Sequence, residues 1–104
     1  MGKSYTPKYR VEYLDNAKRM VDPLSPRFGW KTMTWDAKRN GAPTSANVER
    51  LRVAMNVSFL PGGVNEHVSI ESGTVVHIYR MRLVHQKSGA TVAETSAPAF
   101  ELVA

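Results

Sequence analysis

The sequence predicts an α+β domain in which an antiparallel sheet of about four strands packs one face against one main helix. Three observations lead to this class: alternating segments in the N-terminal part, an unbroken helical pattern in the middle, and a hairpin pattern in the C-terminal third. The chain has 104 residues, 42% hydrophobic and 22% charged, which suits one globular domain. We expect a single domain over residues 1–104, with connecting loops at 16–29 and 36–43.

Two strands are predicted before the helix. Tyr9, Val11 and Tyr13 alternate with residues of the other face, as in a half-buried strand. The segment WKTMTWDAK, residues 30–38, is rich in aromatic and β-branched residues and predicts the second strand. A turn containing glycine and proline follows it.

The main helix is predicted from Thr44 to Phe59. Thr44 or Ser45 is a suitable N-cap, and neither proline nor glycine interrupts the segment that follows. Apolar residues recur there at steps of three and four, which places them in one stripe facing the sheet: Val48, Leu51, Met55 and Phe59.

The stretch PGGVNEHVS, residues 61–69, is the most motif-like part of the chain. A phosphate-binding glycine loop precedes a helix and follows a strand, whereas this stretch follows a helix. We therefore interpret it as a helix stop that leads into a loop before the next strand. Asn65, Glu66 and His67 form a polar cluster that either faces a partner or is only solvated.

The C-terminal third reads as a hairpin around Lys87-Ser88-Gly89, with Gly89 in the left-handed conformation. This loop pairs Val84 with Val92 and Arg82 with Glu94, so that the second pair is one of opposite charges. The predicted core contains these residues: Val11, Tyr13, Trp35, Val48, Leu51, Met55, Phe59, Ile78 or Tyr79, Leu83 and Val92.

Positive charge is concentrated in the first half of the chain. The net charge is +5, and residues 1–52 hold eleven Lys/Arg against five Asp/Glu, while residues 53–104 hold three against four. The candidate nucleic-acid-binding residues are Lys31, Lys38, Arg39, Arg50 and Arg52. Tyr9, Tyr13, Trp30 and Trp35 are interleaved with them, so cations would neutralise phosphates and exposed rings would stack on bases. The alternative is that the rings fill the core and the charge only maintains solubility.

Several other kinds of chemistry are disfavoured. Without cysteine there is no disulfide or thiolate nucleophile. Of the three histidines, His77 and His85 lie about 26 Å apart along an extended strand, which disfavours a shared metal ion. His67 has acidic neighbours in Glu66 and Glu71 but no associated nucleophile. We therefore expect no enzyme activity, no cofactor and no metal, and the lack of a long apolar stretch predicts a cytoplasmic protein without a membrane partner.

Three stretches, YTPKYRVEY, PGGVNEHVS and the terminal PAFELV, resemble those of small uncharacterised proteins encoded by bacteriophages of actinobacteria. The resemblance spans most of the chain and implies no activity or catalytic residue. It implies a setting: a host-cell cytoplasm and an accessory role acting on a host or phage macromolecule.

Two hypotheses of function follow. The first is a nucleic-acid-binding module that uses the five basic residues given above. The second is a protein-interaction module that modulates or inhibits a host protein, or a homodimer, with Val53, Val57, Asn65 and His67 as candidate interface residues. Val53 and Val57 are predicted on the helix face opposite the core, although small apolar residues there are usually just tolerated. No small-molecule substrate is indicated.

Overall fold

The computed structural model describes residues 7–15, 30–72 and 76–97. The predicted loop at 16–29 lies outside these residues, as does the C-terminal stretch after residue 97. The elements are β1 (Tyr9–Asp15), β2 (Trp30–Thr34), α1 (Ala37–Asn40), α2 (Ser45–Ser58), α3 (Glu66–Ser72), β3 (Ile78–His85) and β4 (Thr91–Ser96).

The four strands form one antiparallel sheet in the order β2-β1-β3-β4. Helix α2 packs on one face, mainly against β3 and β4. The predicted α+β class with one main helix on a four-stranded sheet is confirmed. The strand order was beyond the reach of the sequence patterns, because β1 and β3 pair in the centre across a long separation in sequence.

Helix α2 follows the predicted boundaries closely. The Thr44 side chain accepts a hydrogen bond from the Asn47 backbone N–H at 3.2 Å, as an N-cap does. Val48 is fully buried against the sheet, and the other members of the predicted stripe are half-buried beside it. The helix ends at Ser58, and Gly62 then adopts a left-handed φ of 86° that reverses the chain direction.

The core forms between α2 and the facing side of the sheet. Its buried residues are Val11, Trp35, Val48, Ile78, Met81, Leu83 and Ala93. Tyr13, Leu51, Met55 and Phe59 pack around its margin. The predicted core is therefore largely confirmed, with Ile78 rather than Tyr79 as the buried member of that pair.

Val92 is a correction to the predicted core. The register of β3 and β4 shifts between Leu83 and Val84, so that Val84 pairs with Thr91 and not with Val92. Val92 is the extra residue of this bulge. Its neighbour Ala93 pairs with Leu83, in the predicted register, and is buried in the core, so Val92 points away from the core and is 47% exposed. Gly89 has the predicted left-handed conformation, with a φ of 75°. The loop is one residue longer than predicted, because the His85 N–H donates to the Ala90 carbonyl at 2.9 Å and Gln86 therefore belongs to the loop.

Two short helices were not predicted. The second strand ends at Thr34 rather than continuing to residue 38, and the single-turn helix α1 follows Trp35 and Asp36. Likewise, the helix stop at the PGGVNEHVS stretch is present, but α3 begins at Glu66 where a loop was expected. Both helices are only four and seven residues long, which leaves little periodicity for a sequence pattern to show.

Candidate nucleic-acid interface

Two of the five residues predicted to bind phosphate, Lys31 and Arg52, make contacts within the protein. Lys31 lies on β2, where its Nζ contacts Asp15 Oδ2 at 2.6 Å and lies 6.0 Å from the centre of the Tyr13 ring. Arg52 is only 2% exposed, and its Nε donates to the Thr95 hydroxyl at 3.4 Å. Arg52 was wrongly predicted as a surface cation. It lies one turn after Val48 and therefore within the buried face of α2.

Lys38 and Arg39 are exposed on α1, immediately beyond the end of β2. Asp36 is the N-cap of this helix: its Oδ1 accepts from the backbone N–H of Lys38 at 3.0 Å and of Arg39 at 3.4 Å. The Asp36 carboxylate thus binds the backbone and not the side chains of its two basic neighbours. Both cations are left without an ion pair in the described part of the chain.

Two further cations, which the sequence did not single out, lie at the same end of the sheet. Lys8 directly precedes β1, and Lys87 lies in the turn after β3. The strand pairing continues past the strand ends here, because Gln86 N–H donates to the Lys8 carbonyl at 3.0 Å and Trp35 N–H donates to the Tyr9 carbonyl at 3.4 Å. These backbone bonds hold the ends of β3, β1 and β2 side by side.

We call the four cations at this end the basic row: Lys8, Lys38, Arg39 and Lys87. All four are exposed, and none forms an ion pair with a described residue. Two open cavities of about 500 and 650 Å³ flank the row, and Lys8 lines both. Lys87 lines the first and Lys38 the second, so Lys8 lies between them.

Arg50 is exposed on the outward face of α2, in the N-terminal half of that helix. It forms no ion pair with a described residue. Arg50 lines neither of the two cavities beside the basic row and is therefore not counted as a member of it.

The aromatic residues interleaved with the cations make contacts within the protein. Trp35 is 5% exposed and its Nε1 donates to the Gly41 carbonyl at 3.2 Å. Tyr9 packs against the core and meets the His85 ring edge-on, with the ring centres 5.6 Å apart. Trp30 lies under two guanidinium groups, those of Arg82 at 3.9 Å and Arg80 at 5.6 Å from the ring centre. Trp35 is therefore excluded as an exposed stacking surface, while Tyr9, Tyr13 and Trp30 are half-buried and their stacking role stays a prediction.

The sheet face opposite α2 carries a network of ion pairs. Glu12 is 3% exposed, with Arg10 Nε at 2.9 Å from Oε2 and Arg82 Nη2 at 2.7 Å from Oε1. Arg80 pairs with Glu94 at 2.6 Å. Although Arg82 and Glu94 are directly opposite in register as predicted, each side chain bonds elsewhere. Strand β1, which lies beside β3, supplies the carboxylate that Arg82 prefers.

The predicted partner-interface residues fall into two groups. Val53 and Val57 are 44% and 56% exposed on the outward face of α2. Asn65 is a structural residue: its side chain donates to the Ser58 hydroxyl at 3.0 Å, and its backbone N–H donates to the Ser58 carbonyl at 2.8 Å. His67 is exposed on α3. Asn65 is therefore engaged in closing the turn after α2.

No cluster of three or more potential metal ligands occurs among residues 7–15, 30–72 and 76–97. His85 bonds within its own turn, where its Nδ1 lies 3.1 Å from the Ser88 hydroxyl. None of the described helices has the length and apolar character needed to cross a bilayer. Comparison of the chain with protein-family models, with curated proteins and with solved structures finds no match, so the geometry of the basic row is the ground for a functional assignment.

Proposed function

We propose that this protein binds nucleic acid through the basic row. The observation that supports the proposal is the convergence of four exposed cations, without ion-pair partners among the described residues, from three separate segments of the chain. On the sheet face opposite α2, by contrast, the arginines are paired with carboxylates. One exposed carboxylate, that of Asp36, lines the same cavity as Lys8 and Lys38, so the row keeps an excess of positive charge. Such an excess at one end attracts a polyanion and binds its phosphates.

The fold explains how this cluster forms. Lys8, Lys38 and Lys87 are far apart in sequence, yet they follow or precede strands whose ends lie at the same edge of the sheet. Hydrogen bonds fix the backbone at Lys8 and at the start of α1. The backbone that carries the cations is consequently held in place, while their exposed side chains can change rotamer.

The proposal is tested by fluorescence anisotropy with labelled duplex DNA, single-stranded DNA and RNA, at low and near-physiological salt. The double variant Lys38→Glu/Arg39→Glu should lose most of the binding. Arg80→Gln is the control, because Arg80 is an exposed arginine that is already paired with Glu94. It should retain binding within about twofold, since its charge is already neutralised locally. Failure of the wild-type protein to bind any of the probes at low salt would refute the proposal.

A second candidate function is supported by the exposed apolar residues. Within the described ranges, five of the six large hydrophobic residues with high exposure lie between residues 53 and 70: Val53, Val57, Leu60, Val64 and Ile70. Exposed apolar residues that concentrate in one region suggest a protein-interaction surface, either for a host protein or for a second copy of the chain. Either function would suit an accessory protein in a host-cell cytoplasm, as the resemblance to phage proteins implies.

Light scattering coupled to size exclusion tests the homodimer form of this second candidate. The wild-type protein should elute as a dimer at micromolar concentration, and Val53→Glu/Val57→Glu should convert it to a monomer. Val92→Glu is the matched control, because Val92 is similarly exposed but lies on β4. A monomeric wild-type protein would rule out the homodimer at these concentrations and leave only a heterologous partner.

A further inference from the structure

We infer that the basic row binds the outer phosphate backbone of a nucleic-acid duplex and does not read the bases. This inference rests on the proposed function and specifies its ligand. Three properties of the row support it: its linear arrangement, the engagement of the neighbouring rings and amides within the protein, and its composition of three lysines and one arginine.

The row runs across the strands at one edge of the sheet. Lys87 follows β3, Lys8 precedes β1, and Lys38 and Arg39 follow β2, so the cations occur in the order of three neighbouring strands. Two inter-strand spacings of ~4.8 Å separate the ends of β3 and β2 at the backbone. The cations are thus spread along this edge, where several phosphates of one backbone can contact them at the same time.

A single strand would gain less from this surface. Proteins that bind single strands combine cations with aromatic faces on which the unpaired bases stack. Beside the row, Trp35 is buried and Tyr9 is held between the core and His85. Both rings line a cavity beside the row, but only the half-buried Tyr9 is accessible to a base. In a duplex the bases are already stacked on one another and the phosphates point outward, so a duplex loses nothing where accessible aromatic rings are few.

Base reading is disfavoured by the polar groups at this end. Amide side chains read adenine with both of their polar atoms, but Gln86 Oε1 accepts from Arg10 at 2.8 Å and Asn47 Nδ2 donates to the Ala42 carbonyl at 2.9 Å. Lysine binds phosphate as a point charge. Arg39 is the one member of the row whose guanidinium has the fork geometry that recognises guanine.

The salt dependence of binding distinguishes the two kinds of nucleic acid. Four phosphate contacts to a duplex predict a slope of log K against log salt of about −3.6, or a loss of about 150-fold in affinity between 50 and 200 mM salt. The same four contacts to a single strand predict a slope of about −2.8 and a loss of about 50-fold. Each neutralising substitution in the row removes one contact and should lower the duplex slope by about 0.9.

The test measures anisotropy titrations at four salt concentrations between 50 and 200 mM. The probes are two duplex DNAs of unrelated sequence, one duplex RNA, and the corresponding single strands. Wild type is compared with Lys8→Gln, Lys87→Gln, Arg39→Lys and the control Arg80→Gln. Urea unfolding of each variant confirms that the substitutions leave the fold intact, as expected for exposed positions.

The inference expects both duplex DNAs to bind within about threefold of each other and more tightly than their single strands, with the salt slope given above. Lys8→Gln and Lys87→Gln should each lower that slope, whereas Arg39→Lys and Arg80→Gln should not. The duplex RNA tests whether the row also binds the phosphates of an A-form duplex. Affinity similar to that for duplex DNA means that it does, and absence of binding restricts the ligand to duplex DNA.

Three results would overturn the inference. Tighter binding of single strands would mean that bases contact a stacking surface. A preference of more than tenfold for one duplex sequence, lost in Arg39→Lys, would mean that Arg39 reads a base. Unchanged slopes in Lys8→Gln and Lys87→Gln would place the binding surface elsewhere. Each of these leaves nucleic-acid binding itself standing, whereas no binding of any probe at 50 mM salt would remove the proposed function as well.

Discussion

Substitution of Glu12 by glutamine tests the ion-pair network on the sheet face opposite α2. Glutamine keeps the shape of the side chain but removes the charge that two arginines share. Glu12 Oε2 lies 2.9 Å from Arg10 Nε, and Oε1 lies 2.7 Å from Arg82 Nη2. The Glu12 side chain is only 4% exposed, so water cannot replace the carboxylate. The change leaves two guanidinium groups facing a neutral amide.

The expected cost follows from the exposure of the three side chains. Removing one partner of a fully buried ion pair destabilises a protein by about 3–5 kcal/mol, because the remaining charge stays uncompensated. Here Arg10 and Arg82 are 19% and 31% exposed, so both regain part of their hydration. We therefore expect Glu12→Gln to lower the free energy of unfolding by about 2–3 kcal/mol. For a domain of this size, that loss corresponds to a fall in Tm of about 10–20 °C.

Urea unfolding, followed by circular dichroism and by tryptophan fluorescence, measures this loss. Glu94→Gln is the matched control, because Glu94 also pairs with an arginine of β3 but its side chain is 38% exposed. An exposed pair contributes less than about 1 kcal/mol. If Glu12→Gln proved no more destabilising than Glu94→Gln, the reasoning from burial would be refuted.

Three further changes test the packing of α2 and the turn that follows it. Arg52→Ala should lower the free energy of unfolding by about 2 kcal/mol, whereas Arg50→Ala, at an exposed position two residues away, should change it by less than about 0.5 kcal/mol; equal effects in urea unfolding would contradict the burial of Arg52. Asn56→Ala removes two hydrogen bonds to the first residue of β3 and should cost about 1–3 kcal/mol; a loss below about 0.5 kcal/mol would mean that water replaces the amide. Gly63→Ala places a Cβ 2.3 Å from a backbone oxygen at the end of α2, while Gly62→Ala meets no atom within 4 Å and incurs only the left-handed strain of about 1–2 kcal/mol. Gly63→Ala should therefore unfold at the lower temperature, and the reverse order of Tm would contradict the close approach.

The fold was predictable where local patterns act alone. Helix α2 has a capping residue, an uninterrupted interior and a stripe of period 3.6, and its observed bounds differ from the prediction by one residue at each end. Val92 was misplaced although alternation held the signal: when Arg82 pairs with Glu94, Leu83 lies opposite Ala93 and Val92 falls on the other face of the sheet. The strand order, in contrast, depends on pairing between distant segments, which alternation within one strand does not reveal.

The candidate site was harder to predict than the fold. Lys38 and Arg39 were found because they are adjacent in sequence, but Lys8 and Lys87 join them only through the order of the strands. Arg52 was misjudged although a signal existed, since a residue four positions after Val48 lies on the same face of the helix. The charge of Arg52 predicts an exposed side chain, whereas its position in the helical period predicts a buried one. The helical period is the stronger indication here.

The central position of β1 in the sheet has a consequence for how the protein is made. β1 pairs with β2 early in the chain, but its other neighbour contains Arg82, which follows Glu12 by 70 residues. At a synthesis rate of about 5–20 residues per second, roughly 4–14 s pass between the synthesis of Glu12 in β1 and that of Arg82 in β3. In that interval the β1–β2 hairpin is marginal by itself, with one edge unpaired and its apolar face uncovered. The central pairing of β1 with β3 therefore cannot form until most of the chain has been made, and a nascent chain that stops before β3 is a target for chaperones and proteases.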